Sequence, residues 1–399
     1  MKTKKAGIHG TALYTVIMYS TDYGIVLLPG GSVSNSISHI EYIYHLLQNM
    51  TILKLATALF SIGPSPRRYH KSSTICDVIP MTSTTVDKSK YEDLLEWMRS
   101  MNAEVSDKLV IQQSHLGDGY GAFVTSQVEE GEILFTVPRQ ACVTLADATN
   151  DPKCGETFSK IMEKAGPGGN TVVMAAYLAK EYLISMEQDV KFGPYLETLP
   201  WERGVNSQEH ILFWSDPETD ANLGGSFCFS EAKELRSEVA LATKVINGIV
   251  GDSVRIARGE MDDGFRWPWQ ITPKESAGKP VDGLEEAVKG AFVALLTRAF
   301  QDGDGDEEKL VPMLDMLQHS EQPNVRHVMR KADGTVEVRA RRTIAPGEEL
   351  LNQYRSEEDE NMPYHRFFTR FGFVPGIAEP IENLLSDRSS IFYPKVVEV

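Results

Sequence analysis

Apolar Tyr91, Leu94, Leu95 and Met98 fall at i, i+3, i+4 and i+7 behind an Asp or Ser cap, a spacing that predicts an amphipathic helix over 89–101. Beyond it the period shortens. Runs rich in Val, Ile and Phe at 109–111, 122–125 and 133–137 are punctuated by Gly117, Gly119, Gly121 and the turn at 129–131, which predicts an antiparallel β region. From about residue 171 the pattern is helical again, with Val172, Val173, Ala176, Tyr177, Ala179, Leu183 and Met186 on an expected buried face; 230–247 and 284–300 also suit helices. Loops are expected at Pro194, Pro200, Pro217 and 264–280. Strands return at 324–329 and 335–341 around the hairpin turn 331–334, followed by the turn 344–348 and a helix over 362–371. The order β, helical, β describes an α+β chain with a helical region of about 201–300 inserted into a β-rich unit.

The first eighty residues do not share this patterning. They hold seven of the 40 Lys and Arg but three of the 56 Asp and Glu, so the net charge of −16 becomes −20 over 81–399. Apolar stretches at 15–19 and 52–62 are too short and too interrupted, by Asp22, His45, Gln48, Asn49 and Lys54, to cross a membrane. The stretch from Met50 is apolar, then basic and hydroxylated, as organelle presequences are. A mitochondrial or plastid address is one reading of 1–80. A disordered tail, or upstream sequence before a true start at Met50 or Met81, is the other, with a cytoplasmic protein as its consequence.

The acidic balance argues against affinity built on phosphate neutralisation, so no nucleic-acid partner is expected, and a basic protein partner fits better. Cys76, Cys142, Cys154 and Cys228 lack ligand or disulfide-framework spacing. The acidic loop from Asp302 begins like a calcium loop, but Glu307 stands at the required glycine and Met313 at the bidentate glutamate, so no metal is assigned. Gly117, Gly119 and Gly121 lead into a strand rather than a helix, which excludes a dinucleotide fingerprint. They shape a β-turn, or they let main-chain groups approach a small polar ligand.

Six further segments follow in order: GEILFTVP at 131–138, FGPYLETLP at 192–200 with ILFWS after it, TRAF at 297–300, LVPMLDMLQHS at 310–320, PGEELLNQY at 346–354 and RFGFVP at 370–375. With the glycine loop, this order resembles the SET-domain protein methyltransferases. The resemblance is to the split-SET subfamily that includes the Rubisco large-subunit lysine methyltransferase and the actin histidine methyltransferase, and it covers roughly 110–376. It implies a β-rich SET fold with an inserted helical region and a pseudoknot-like C-terminal closure. It also implies a domain over 81–376 and a tail over 377–399 too short for the family's usual helical substrate-binding domain.

The resemblance implies S-adenosyl-L-methionine as cofactor, bound by main-chain groups of Asp118, Gly119, Tyr120 and Gly121. Thr297 and Arg298 would line the same pocket, with Asp315, Gln318 and His319 forming the D-x-x-N-H-S segment. Tyr354 matches the family's catalytic tyrosine, and Phe371 and Phe373 match the walls of the target-side-chain channel. Two positions depart from the pattern, Gln318 for asparagine and Phe371 for tyrosine. The added methylene of Gln318 moves its amide by about 1.5 Å, so an asparagine there is expected to keep or raise cofactor affinity.

Methyl transfer from a sulfonium is an in-line displacement that needs alignment rather than a metal. A lysine acceptor must be neutral, and deprotonation near pH 7 costs roughly 4–5 kcal/mol from its usual pKa of about 10.4. A narrow aromatic channel lowers that cost by disfavouring the ammonium form, and an imidazole acceptor faces a smaller one. The expected activity is therefore methylation of a protein lysine, with histidine second and a Lys- or Arg-rich segment as substrate. Taken singly, Tyr354 could be a core tyrosine, His319 a packed histidine and Asp315 a turn pin. A catalytically inactive SET-fold module that binds a peptide is the alternative from another class.

Overall fold

The computed structural model describes residues 86–393, apart from 117–118, 205–208, 262–278, 302–307, 355–361, 375–380 and 388–389. All belong to the second of two units into which the chain divides, Met50–Val399. The readings of 1–80, of the acidic loop at 302–307 and of Asp118 lie outside the described residues.

Helix α1 (Val86–Ser100) buries Tyr91, Leu94 and Met98, as its period requires. Strands β1 (Leu109–Gln113) and β2 (Tyr120–Val124) pair antiparallel, with Gln113 opposite Tyr120, and the glycine-rich turn joins them. After β3 (Ile133–Val137) and the short β4 (Val143–Thr144), three helices follow: α2 (Leu145–Thr149), α3 (Gly155–Ala165) and α4 (Pro167–Ser185). A reciprocal Thr144–Asp147 capping box starts α2. The sequence reading names neither: α2 is short and carries only two buried positions, whereas α3 has a helical spacing in Phe158, Ile161, Met162 and Ala165.

Helices α5 (Gly193–Leu196) and α6 (Asp216–Leu223) precede the 30-residue α7 (Cys228–Ala257) and α8 (Leu284–Arg298). Pro194 and Pro217, expected in loops, sit in the first turns of α5 and α6, where a missing N–H costs nothing. Met186, expected on a buried face, is 55% exposed, because α4 ends at Ser185 and Met186 is its C-cap. Helix α8 stops at Arg298 and the extended backbone of Ala299 turns Phe300 into a strand rather than a last helical turn.

The chain then returns to strands: β5 (Ala299–Gln301), β6 (Glu308–Leu310), β7 (Gln318–His319), β8 (Val325–Met329), β9 (Val336–Ala340) and β10 (Leu351–Asn352), before α9 (Tyr364–Phe371) and α10 (Ile381–Ser386). The sheets run β3-β9-β8, β4-β6-β5, β1-β2 and β10-β7. Segments on either side of the helical region thus share two sheets, β3 with β9 and β4 with β6. Helix α4 is the hub of the helical part, packing against α3, α7 and α8, and its apolar residues from Val172 to Ala179 are all buried.

The C-terminal closure expected from the sequence is formed by residues 344–352. Ile344 bridges Val128, Glu349 bridges Phe123, and the Leu350 amide donates to the Ala122 carbonyl at 2.7 Å. Directly after Leu350, β10 runs parallel to β7, with Leu351 opposite Gln318 and Asn352 opposite His319. One short segment therefore ties the first hairpin to the chain beyond the helical region.

Candidate active site

Five segments meet at this closure: the glycine turn, the end of α8, residues 315–319, residues 349–354 and the end of α9. Helix α9 presents Phe367 and Phe371 on one face, four residues apart, with ring centroids 4.5 Å from each other. Gly372 then adopts φ +81°, a left-handed C-cap that a side chain would oppose, and this reversal returns Phe373 to the same cluster. The Phe373 ring lies 5.2 Å from Phe367 and 6.2 Å from Tyr354, and Phe371 lies 5.6 Å from Tyr354. His319 completes the group, 5.2 Å from Tyr354.

Tyr354 is fixed at both ends. Its amide donates to His319 Nδ1 at 3.1 Å and its hydroxyl donates to the Leu317 carbonyl at 2.8 Å. Burial pushes the phenol up to about 12, with Arg298 opposing the shift and Asp315 and Glu349 reinforcing it, so the group is a neutral donor at physiological pH. Phe371, Phe373 and Tyr354, singled out in the sequence, are thus brought together.

Behind Tyr354 lies a buried charged pair. The Tyr195 hydroxyl donates to Asp315 Oδ2 at 2.8 Å, and Arg298 Nη1 stands 3.7 Å from the same oxygen. Burial holds the Asp315 carboxyl above the ordinary carboxylate range, while Arg298 and the Tyr195 hydroxyl pull it back. Arg298 also donates to the Thr198 carbonyl at 3.3 Å. The Thr297 proton is committed to the Val293 carbonyl at 2.7 Å within α8, so a ligand would find only its lone pairs. Met313, two residues before Asp315, is fully buried with φ +68°, a strained backbone of the kind that gathers at functional sites.

The glycine turn is held from three sides. The Tyr120 ring packs against Tyr91 of α1, centroids 4.5 Å apart and planes tilted by 33°, and the Ser114 amide donates to the Gly119 carbonyl at 2.7 Å. Gln318 Nε2 donates to the Tyr120 carbonyl at 3.2 Å, so the residue that departs from the family's asparagine spans from β7 to the turn. Glu349 Oε2 accepts from the His115 amide at 3.0 Å, and its Oε1 lies against Gly121, where any Cβ would overlap it. That oxygen is buried without a hydrogen-bond partner.

Among the described residues no group of three or more His, Cys, Asp or Glu could hold a metal ion. A model of the SET domain matches residues 119–355, more than half of the chain. The chain belongs to the SET-domain family.

N-lysine methyltransferase setd6 of Danio rerio is 25% identical over 325 residues, 76% of this chain and 61% of the relative. The protein of the same name from Salmo salar is 22% identical over 316 residues, again 61% of its length. This SET-domain chain therefore spans about three-fifths of the curated relatives it matches. Two solved structures share its fold. The SET domain of LSMT bound to lysine and AdoHcy superposes with a TM-score of 0.54 at 14% identity, covering 73% of this chain and 58% of that one. Rubisco LSMT bound to sinefungin and monomethyllysine gives 0.52 at 14%, covering 71% and 56%.

Three residues of this SET-domain site carried no role in the sequence reading: Tyr195, Glu349 and Phe367. The first two lie in quoted segments, FGPYLETLP and PGEELLNQY, but no spacing says that Tyr195 reaches Asp315 across 120 residues or that Glu349 reaches His115 across 234. Phe367 had a signal, its i, i+4 relation to Phe371.

Proposed function

We propose that this SET-domain chain is a protein-lysine N-methyltransferase that uses S-adenosyl-L-methionine. The observation that carries the reading is the neutral Tyr354 hydroxyl, bonded to the Leu317 carbonyl and enclosed by His319, Phe371 and Phe373. The residues suit the cofactor: Gly121 lacks the side chain that would close the turn, and the buried Glu349 Oε1 and the Arg298 guanidinium offer partners of opposite charge to an amino-acid moiety. When bound, S-adenosyl-L-methionine supplies an electrophilic methyl group on a sulfonium.

The protein's part is placement and desolvation. Turn residues Gly119, Tyr120 and Gly121 offer main-chain donors and acceptors, and the Gln318–Tyr120 bond ties the turn to β7; Asp118, matched to the same role by the resemblance, lies outside the described residues. The carbonyl of Leu317 and the hydroxyl of Tyr354 form a polar ring of the kind that accepts weak bonds from a methyl group. Phe371 and Phe373 exclude water from the acceptor's path, favouring a neutral amine over its ammonium form. Their faces, with that of Tyr354, also stabilise the positive charge near the transferring methyl. Histidine remains the second acceptor on the same geometry, since imidazole needs less help to lose its proton.

The protein partner is proposed to be a Lys- or Arg-rich segment, in keeping with the net charge of −16. Among the described residues no helix is long and apolar enough to cross a membrane.

Calorimetric titration of purified 81–399 with S-adenosyl-L-methionine and S-adenosylhomocysteine, followed by mass spectrometry of Lys-rich peptides incubated with enzyme and cofactor, tests the proposal. Saturable binding and a mass gain of one methyl on lysine are expected. A folded sample of this piece and of 50–399 that binds neither ligand would overturn the reading and turn attention to peptide binding without transfer.

A further inference from the structure

Among the described residues, Glu349 is the charged group at the glycine turn whose bonding is incomplete. Its residue is 7% exposed, its Oε2 is satisfied by the His115 amide at 3.0 Å, and its Oε1 is buried with no donor. A carboxylate oxygen left this way carries a desolvation penalty that folded proteins rarely keep without a use. The backbone on either side is fixed. The Glu349 carbonyl accepts from Asn324 Nδ2 at 2.7 Å, the residue bridges Phe123, and the next amide donates to Ala122. The side chain has little freedom to swing towards another donor.

Its direction is equally constrained. Oε1 rests on the face of Gly121 where every other amino acid would place its Cβ, so the glycine is what allows the carboxylate to reach the turn. Across the site, Arg298 approaches from α8 and is shared with the Asp315 carboxylate. Both charges act on the Tyr354 phenol, Glu349 raising and Arg298 lowering its pKa. A zwitterionic amino acid matches this arrangement, with its ammonium group able to supply the donor Oε1 lacks.

We infer that Glu349 is a specificity-determining residue for the cofactor, its Oε1 accepting a hydrogen bond from the α-ammonium group of the methionine moiety. This rests on the proposed use of S-adenosyl-L-methionine and adds a requirement to it. The protein should select for the amino group itself, through a side chain, in addition to any main-chain contacts of the turn.

The test is a cycle between residue and ligand, read by calorimetry. The ligands are S-adenosylhomocysteine and its analogue lacking the α-amino group; the proteins are wild type, Glu349→Gln and Gly121→Ala. Glutamine keeps an acceptor for the His115 amide and the side-chain shape, while the alanine Cβ displaces Oε1 without touching the charge. A charge-assisted hydrogen bond sets the expected loss at about ten- to a hundredfold for S-adenosylhomocysteine in both variants. The des-amino analogue should bind wild type and variants within about twofold of one another, since the contact it would report is absent. An equal loss for both ligands would overturn the inference by making Glu349 a scaffold for the turn alone, and so would an undiminished affinity of Glu349→Gln for S-adenosylhomocysteine. If wild-type protein binds neither ligand, the cofactor reading itself fails. Thermal unfolding of each variant with and without ligand gives a second readout, since a folded variant that has lost the contact shows a smaller ligand-induced rise in Tm than wild type for S-adenosylhomocysteine only.

Discussion

Gln318→Asn separates what the family pattern expects from what the tertiary structure requires. The pattern has asparagine at this position, and the sequence alone predicts that restoring it keeps or improves cofactor affinity. In the folded chain Gln318 Nε2 donates to the Tyr120 carbonyl at 3.2 Å. Shortening the side chain by one carbon–carbon bond withdraws the amide by about 1.5 Å, leaving a gap of roughly 4.7 Å, beyond hydrogen-bond reach. The backbone cannot follow, because Gln318 and His319 are paired to Leu351 and Asn352 in β7-β10. The lost bond is worth about 0.5–1.5 kcal/mol. Part of it appears as a loss of stability and part as a looser turn that binding must order. With the energy divided about equally, the expected result is a Kd for S-adenosylhomocysteine about two- to threefold weaker by calorimetry, with Tm lower by roughly 1–2 °C. Gln318→Glu keeps the reach but removes the donor, and should lose at least as much. Unchanged or tighter binding by Gln318→Asn, with Gln318→Glu also unaffected, would refute the claim that this bond holds the turn.

Three other outcomes follow from the same geometry. Tyr354→Phe keeps the aromatic cluster and the amide bond to His319 but removes the donor to Leu317; turnover should fall steeply while cofactor affinity changes little, and unchanged turnover would remove Tyr354 from the chemistry. Breaking the buried pair by Asp315→Leu strands Arg298 and should cost about 3–5 kcal/mol in denaturant unfolding, against about 1 kcal/mol for Tyr195→Phe, which deletes one hydroxyl; equal losses would argue against a charge role for Asp315. His210, fully buried, accepts from the Leu212 amide through Nδ1, faces the Arg370 carbonyl at the end of α9 through Nε2, and is pushed down to about 4 by burial. Its folded pKa is below its unfolded one, so its neutral form contributes stability that is present above about pH 6.5 and lost as pH falls towards 4; thermal scans from pH 7.5 to 5 should show a drop that His210→Gln flattens, and parallel profiles would exclude His210 as its source.

The sequence by itself determined the strand and helix periods, the β–helical–β order and the ordered segments of the SET domain. Those are local properties: a period of 3.6 or 2, a turn residue, a short motif, each readable within about ten residues. Through the family resemblance it also singled out Tyr354, Phe371 and Phe373, whose rings the structure brings together. Short α2 escaped it, as did the helical settings of Pro194 and Pro217, since burial of one or two positions leaves no periodic trace; α3 was passed over although Phe158, Ile161, Met162 and Ala165 carry a helical spacing. What only the tertiary structure decided is which distant side chains complete the pocket. Tyr195 meets Asp315, Gln318 meets the glycine turn and Glu349 fills the face of Gly121 because one short segment, 344–352, pairs with both the first hairpin and β7. Those contacts depend on a few ångströms of side-chain reach across chain separations of 120 to 234 residues, and reach of that kind is fixed by packing rather than by pattern.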